Sequence, residues 1–376
     1  MTLAVIYRGS ATRIPELDGL RGIAVGIVLV WHFVGAMMDP SLGAWTKAIY
    51  HTTILGRTGV DLFFVLSGFL ITGIILDRKL SAFHFLKSFY IRRVLRIVPS
   101  YALLMLVFWL VVLAGVNNST FNSQTPWWHH ITFTQNLWMA EYERWGPGAV
   151  SVTWSVAIEE QFYMVFPVLA LLTPRRLLPG LLVCIAVFSC FFRALAFVQF
   201  NSVYTMYVHT ISRLDGLAMG GLIAYFWRSP AFDPWMTSHS IAFRRWYIGM
   251  CAGIPLLFIG LADNLARNMA TWGHTYLTLL YGTCLIFILR SLGSPSVAWC
   301  RNRSLGKLGS ISYTVYLFHP LILSTVFLLA RRPERLSNLG DALLAIAALL
   351  LTLFWSSISL RWLEKPLTRF GRLWRY

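Results

Sequence analysis

Charge is what this chain lacks. Only 12% of its 376 residues are Asp, Glu, Lys or Arg, and 15 of them are carboxylates. A soluble domain carries about 25% charged residues, so a chain that is 57% hydrophobic has no room for a large one. Cysteine is also sparse. Cys184, Cys190, Cys251, Cys284 and Cys300 form neither a CxxC pair nor an even framework, which excludes a disulfide scaffold and a zinc ribbon. Four of the five lie in apolar stretches and read as packing residues. There is no GxGxxG after a strand, no Walker loop, no HExxH and no GxSxG elbow, so nucleotide hydrolysis has no support and no metal site is expected. No apolar segment with a cleavage site precedes Leu20, so the first apolar run is expected to stay as an uncleaved anchor, and nothing points to secretion.

What fills the chain is long apolar runs, rich in the 26 Phe and 16 Trp. Ten spans are expected, near 20–38, 59–76, 97–115, 152–173, 179–199, 213–227, 246–262, 274–290, 308–330 and 340–360. The fold class is therefore an all-α integral membrane protein of about ten transmembrane helices, a single membrane domain over 1–376 with no additional soluble domain. The net charge of +17 would suggest nucleic acid in a soluble protein, but its placement gives a better account. With the N-terminus inside, the inner segments hold 23 of the 32 Lys and Arg, among them Arg8, Arg13, Arg92, Arg93, Arg96 and Arg375. Both termini are then cytoplasmic and the protein sits in the cytoplasmic membrane. One loop conflicts with this tally: 331–338 falls outside, yet carries Arg331, Arg332 and Arg335.

Ser81 to Val98 mixes aromatic and cationic residues at helical spacing, as a helix lying at the inner interface would, and Pro99 bends or restarts it. The long outer segment 116–151 is polar at first and then aromatic, suited to a short amphipathic piece at the outer rim or to the lining of an acceptor site. LDGLRG at 17–22 is echoed by LDGLAMG at 214–220, as an inverted repeat would leave, but six residues are too few to carry that reading.

His32 is the first candidate for chemistry. It lies eleven residues after Arg21, roughly 16 Å along a helix, and an ionisable group inside an apolar span is read as functional with a partner on another helix. The bland alternative is a hydrogen bond to a neighbouring helix. Arg92, Arg93 and Arg96 stand where the third span meets the cytoplasm, with 92 and 96, or 93 and 96, sharing a face. Two guanidinium groups there grip a phosphate or pyrophosphate, or simply anchor the helix at lipid headgroups. A long anionic molecule held there by its phosphates, with coenzyme A the obvious shape, would run its reactive arm toward His32.

Glu159 and Glu160 lie seven and eight residues into the fourth span, within about one turn of the depth of His32. A carboxylate at that level would hold the imidazole tautomer, as the acid of a catalytic triad does, or pair with a buried polar group. His319, eleven residues into the ninth span, is a second base or partner, or a structural residue at a helix break made by Pro320. Asp18 pairs with Arg21 at the start of the first span. Asp61 and Asp215 open spans from the outer side and suit helix N-terminal contacts or acceptor binding. Arg193, inside the fifth span, needs a carboxylate that the sequence does not name.

Read together, PELDGLRG (15–22), GVDLFFVLSGFLIT (59–72), FYIRRVLRIVP (89–99), TWSVAIEEQFY (153–163), RLDGLAMGGLIAY (213–225) and LGSISYTVYLFHPL (308–321) resemble the acyltransferase 3 family of integral membrane O-acyltransferases, from residue 15 to about 366. That family includes O-acetylases of bacterial surface polysaccharides. The resemblance implies a ten-helix core with Arg21 and His32 in the first helix and His32 as base. Its Arg-x-x-Arg element falls on Arg93 and Arg96, which would bind acyl-CoA phosphates, with Arg92 and Arg21 in support. Its WSxxxE element falls on Trp154, Ser155 and Glu159, which favours Glu159 over Glu160.

The expected activity is therefore acyl-CoA-dependent O-acyl transfer, acetyl first, to a hydroxyl of a polysaccharide, lipid-linked sugar or glycoside. An alternative route within it passes through an acyl-histidine. The rival class is a transporter or lipid flippase, which ten spans, buried ionisable groups and a repeat would also serve. Neither broken-helix pairs nor an outer counterpart of the Arg cluster supports it.

Overall fold

The computed structural model describes residues 14–200, 202–259 and 268–374. Arg8, Arg13, Arg375 and the end of the span expected at 246–262 lie outside the described residues. Every regular element among the described residues is helical. Ten elements carry the fold: α1 (Pro15–Phe33), α2 (Ala44–Thr53), α3 (Gly59–Leu76), α4 (Ala82–Leu113), α5 (Thr153–Leu172), α6 (Leu178–Phe200), α7 (Thr210–Trp227), α8 (His274–Arg290), α9 (Arg303–Leu329) and α10 (Leu339–Ser359).

Eight helical stretches among the described residues are long and apolar enough to cross a membrane, which makes this a multi-pass membrane protein. Two of the ten expected spans do not reach that mark. One is α7, whose 18 residues include buried Arg213 and Asp215. The other is divided into Ser240–Ala252 and Ile254–Ile259, on either side of Gly253. The interfacial helix expected at 81–98 is instead the first half of α4, which runs on through Pro99 for 32 residues.

The chain forms two compact units. One comprises Met1–Arg21, Val60–Arg78 and Gln161–Gly306. Here α3 and α7 cross in backbone contact: a Cβ on Gly68 would sit 1.9 Å from the Leu217 carbonyl oxygen, and one on Gly220 2.0 Å from that of Val65. Such approaches are how helices associate in lipid, where apolar burial gives no drive. The same unit holds a buried ionic network. Arg213 meets Asp61 at 2.6 Å, with His274 3.4 Å from the same carboxylate oxygen. Arg193 meets Asp215 at 2.9 Å and Thr275 at 2.6 Å, and also donates to the Ser212 carbonyl. Two cations and two carboxylates thus neutralise each other, which is the condition for burying any of them. Asp215 is the partner that Arg193 required.

The second unit comprises Gly22–Gly59, Lys79–Glu160 and Lys307–Tyr376. The basic loop after α9 is accounted for here: Arg332 pairs with Asp341 at 2.6 Å and Arg335 with Asp39 at 3.4 Å, so much of its charge is neutralised locally. The outer segment carries two short helices, Trp127–Ile131 and Gln135–Glu141, with Trp127 and Trp128 exposed and Trp138 buried. It is pinned by polar contacts: Tyr101 donates to the His130 carbonyl at 2.9 Å, and Gln135 donates to the Thr153 carbonyl at 2.9 Å.

The His130 ring in that segment is 1% exposed, and burial pushes its pKa down from 6.5 to about 4. The unfolded ring takes up a proton that the folded one refuses until about pH 4, so the stability this burial allows is full above pH 6.5 and falls as pH drops through the window. The loss by pH 4 is about 3 kcal/mol. Proteolysis within 116–151 is expected to speed up between pH 7 and pH 4.5 in the wild type and to stay flat in His130→Phe. An equal acceleration in both would remove His130 as the cause.

Candidate active site

In the second unit the candidate residues gather in two groups, one around His32 and one around the Arg-x-x-Arg element. His32 is in the last turn of α1, because the helix begins at Pro15 and stops at Phe33, short of the expected limit at Met38. Its Nδ1 lies 2.9 Å from the Val28 carbonyl oxygen, one turn back. A carbonyl only accepts, so Nδ1 carries the proton and Nε2 carries the lone pair. The tautomer is thus set by the main chain, in the place where a triad would put its carboxylate.

The face of α1 leading to His32 is covered by the turn Ile54–Thr58 and the start of α3. Gly56 backs onto the Ile27 carbonyl, where a Cβ would come within 2.2 Å, and Gly59 onto that of Ala24, within 2.3 Å. This close seating brings Arg57 over the Trp31 ring, 5.7 Å from its centroid, where its charge acts on His32. Arg57 was not singled out from sequence, where it read as one more outer cation. The signal was its place between Gly56 on one side and GVDLFF, which opens with Gly59, on the other.

His319 is fully buried, and its ring lies 4.6 Å from that of His32 at an interplanar angle of 72°. The helix break expected at Pro320 does not occur; α9 continues to Leu329. On the turn before His319, the hydroxyls of Tyr316 and Ser155 hydrogen-bond at 2.7 Å, and each lies 3.2 Å from the Val152 carbonyl oxygen. Ser155 therefore ties the start of α5 to α9. Trp154 beside it is buried.

The second group forms around α4. Arg93 lies over the Phe89 ring at 5.5 Å, and its charge acts on Glu160. Arg96 acts on Glu364, which accepts a hydrogen bond from Thr314. Arg92 packs its stem beside Gly371. Tyr313 feels the charges of Glu159, Glu160 and Glu364 and donates to the Ile97 carbonyl at 2.9 Å. Glu159 is half-buried, and Glu160 Oε1 is buried without a hydrogen-bond partner among the described residues. Glu364, in the widened turn 360–364, was missed because it stands beside Lys365 in a tail that reads as basic.

Tyr313, Tyr316 and His319 follow one another at three-residue spacing on α9. The two groups are therefore about 9 Å apart along that helix. In the first unit, Asp61 and Asp215 are held in the ion pairs already described, and Arg21 pairs with Asp18 at 3.1 Å.

Comparison with known proteins adds the family. The chain is 27% identical to the peptidoglycan O-acetyltransferase OatA of Listeria monocytogenes, over 97% of this chain and 57% of that protein. It is 26% identical to a putative O-acetyltransferase of Staphylococcus aureus strain COL, over 95% of this chain and 58% of the relative. The O-acetyltransferase OatA of S. aureus strain NCTC 8325 is 25% identical, with the same two coverages. The chain thus spans somewhat more than half the length of these relatives. No solved structure matches it. The model of the acyltransferase domain matches residues 14–361, and on that match, over nearly the whole chain, this protein belongs to the acyltransferase 3 family.

Proposed function

We propose that this protein is an O-acetyltransferase that takes acetyl groups from acetyl-CoA and transfers them to a hydroxyl of a glycan, with ten membrane spans and both termini in the cytoplasm. The observation that carries the chemistry is the tautomer of His32, whose Nδ1 is occupied by the Val28 carbonyl and whose Nε2 is left as a base. A neutral hydroxyl is a poor nucleophile toward a thioester, and removing its proton as it attacks is the task of such a base. The Arg93 and Arg96 pair supplies the charge-assisted grip for the phosphates of the donor. The donor's arm then follows the Tyr313 to His319 face of α9 toward the imidazoles. Arg57, beside His32, suits the negative charge that develops on the thioester oxygen. The names of the relatives favour peptidoglycan as the acceptor class.

The direct test is incubation of the purified chain with radiolabelled acetyl-CoA and a soluble glycan acceptor. Release of free thiol together with alkali-labile label on the acceptor is the expected result. Uptake of a solute or lipid by proteoliposomes without loss of thioester would establish the carrier reading instead. Because the Val28 carbonyl holds His32 Nδ1, the role of Glu159 in this reading lies with the Arg93 and Arg96 group, where Glu159→Gln is expected to lower turnover about tenfold and Glu160→Gln much less, one residue along a helix turning a side chain about 100°. The reverse order would hand the role to Glu160, the carboxylate that faces Arg93.

A further inference from the structure

The two imidazoles at the end of α1 share a peculiarity. His319, like His32, turns its Nδ1 to main-chain carbonyls, 2.8 Å from Tyr316 O and 3.1 Å from Val315 O. The residue that follows explains it. Pro320 has no N–H, so the Tyr316 carbonyl, four residues earlier, lacks its helical donor. The Nδ1–H of His319 fills that place. His319 is thereby fixed with its proton on Nδ1 and its lone pair on Nε2.

That lone pair is buried and has no hydrogen-bond partner among the described residues. Leaving a buried acceptor bare is unfavourable, so a donor from a neighbouring ring would stabilise it. The rings around it are Phe33 at 6.4 Å, Tyr316 at 5.9 Å and His32 at 4.6 Å. Phe33 has no donor. The Tyr316 hydroxyl is occupied by Ser155 and Val152. Of these rings His32 remains, and in its resting tautomer its Nε2 carries a lone pair and no proton. It gains a proton there when it takes one from the acceptor hydroxyl.

Resting on the reading of His32 as the base, we infer that His319 is a positioning residue whose Nε2 accepts a hydrogen bond from the Nε2–H of His32 during turnover, so that the two imidazoles share the proton in transit. The balance is simple. The proton of the acceptor O–H passes to His32 Nε2 as the oxygen attacks the thioester carbonyl carbon. The C–S bond breaks, the thiolate leaves, and the shared proton goes to sulfur, giving ester and thiol with no net change in protons. Of the charged groups facing the couple, Arg57 acts on His32, and it repels a positive charge localised there. Spreading that charge over a second ring relieves the repulsion, and the hydrogen bond aims the imidazolium for its return.

The test separates the two nitrogens of His319 in the full chain, with acetyl-CoA and a soluble hydroxylated acceptor. An Asn side chain reproduces the Nδ1 donor and a Gln side chain places an acceptor near Nε2. His319→Asn and His319→Ala are expected to lower kcat about 100-fold with the KM for acetyl-CoA within twofold, and His319→Gln to retain about a tenth of wild-type kcat. Wild-type turnover in His319→Asn would reduce His319 to a cap for the Tyr316 carbonyl and overturn the inference. Should these variants fail to fold, Pro320→Ala keeps both histidines and gives Tyr316 O an amide donor, releasing the tautomer. A several-fold loss of kcat is then expected, and undiminished turnover in a monodisperse Pro320→Ala protein overturns the inference. His32→Ala distinguishes the two levels. Full activity there sinks the base itself, whereas an inactive His32→Ala beside a fully active His319→Asn sinks only the shared proton.

Discussion

His32→Ala is expected to lower acetyl transfer by about 10² to 10⁴ while the protein still inserts, folds and binds acetyl-CoA. The imidazole meets the His319 ring, but the seating of α1 on the 54–59 segment does not depend on it. Its contacts to the 54–59 segment run through Ile27 and Ala24 carbonyls and the Trp31 side chain, and the Val28 carbonyl that His32 caps lies within the helix in any case. What the substitution removes is the Nε2 lone pair. The loss should therefore appear in kcat, with the KM for acetyl-CoA little changed, since a base acts in the transition state and contributes little to ground-state binding of the donor. Label transfer measured in detergent, with thiol release followed in parallel, checks this directly. Turnover within a few-fold of wild type would remove His32 from the chemistry. Loss of transfer with thiol release intact would point to hydrolysis of an acyl-enzyme.

Much of this site was legible one residue at a time, and little of it in pairs. His32 announces itself because an ionisable group in an apolar run is costly, and the Arg-x-x-Arg element because its spacing puts two cations on one helical face. Some of their neighbours come from distant segments, and no periodicity connects 32 to 319 or 96 to 364. The expected carboxylate at His32 Nδ1 proved to be a main-chain carbonyl, which sequence cannot display because every residue has one. A break was expected at Pro320 because proline removes a donor, yet the helices continue through Pro99, Pro167 and Pro320 alike, and at Pro320 the adjacent histidine supplies another donor. The span count shows the same limit. Hydropathy finds long apolar windows easily, but α7 carries Arg213 and Asp215 inside it, and their charges are tolerable only through partners at Asp61 and Arg193. Arg57 and Glu364 escaped notice because each sits where its charge has an ordinary explanation.

Replacing the cationic pair tests the other end of the proposed path. Arg93→Ala and Arg96→Ala are each expected to raise the Kd for acetyl-CoA more than tenfold, since a hydrogen bond to a charged group contributes roughly 1.5 to 3 kcal/mol. The charges of Arg93 and Arg96 also act on carboxylates, Glu160 and Glu364, so removing either cation takes a favourable charge away from that acid. That second effect has to be separated from binding. The double variants Arg93→Ala with Glu160→Gln, and Arg96→Ala with Glu364→Gln, remove the stranded acid together with the cation. If phosphate recognition is the role of the arginines, the double variants recover stability but not affinity, and 3'-dephospho-CoA thioesters lose less than acetyl-CoA does. Recovery of affinity in the double variants would mean that the arginines serve the carboxylates alone, and that the donor's phosphates are held elsewhere.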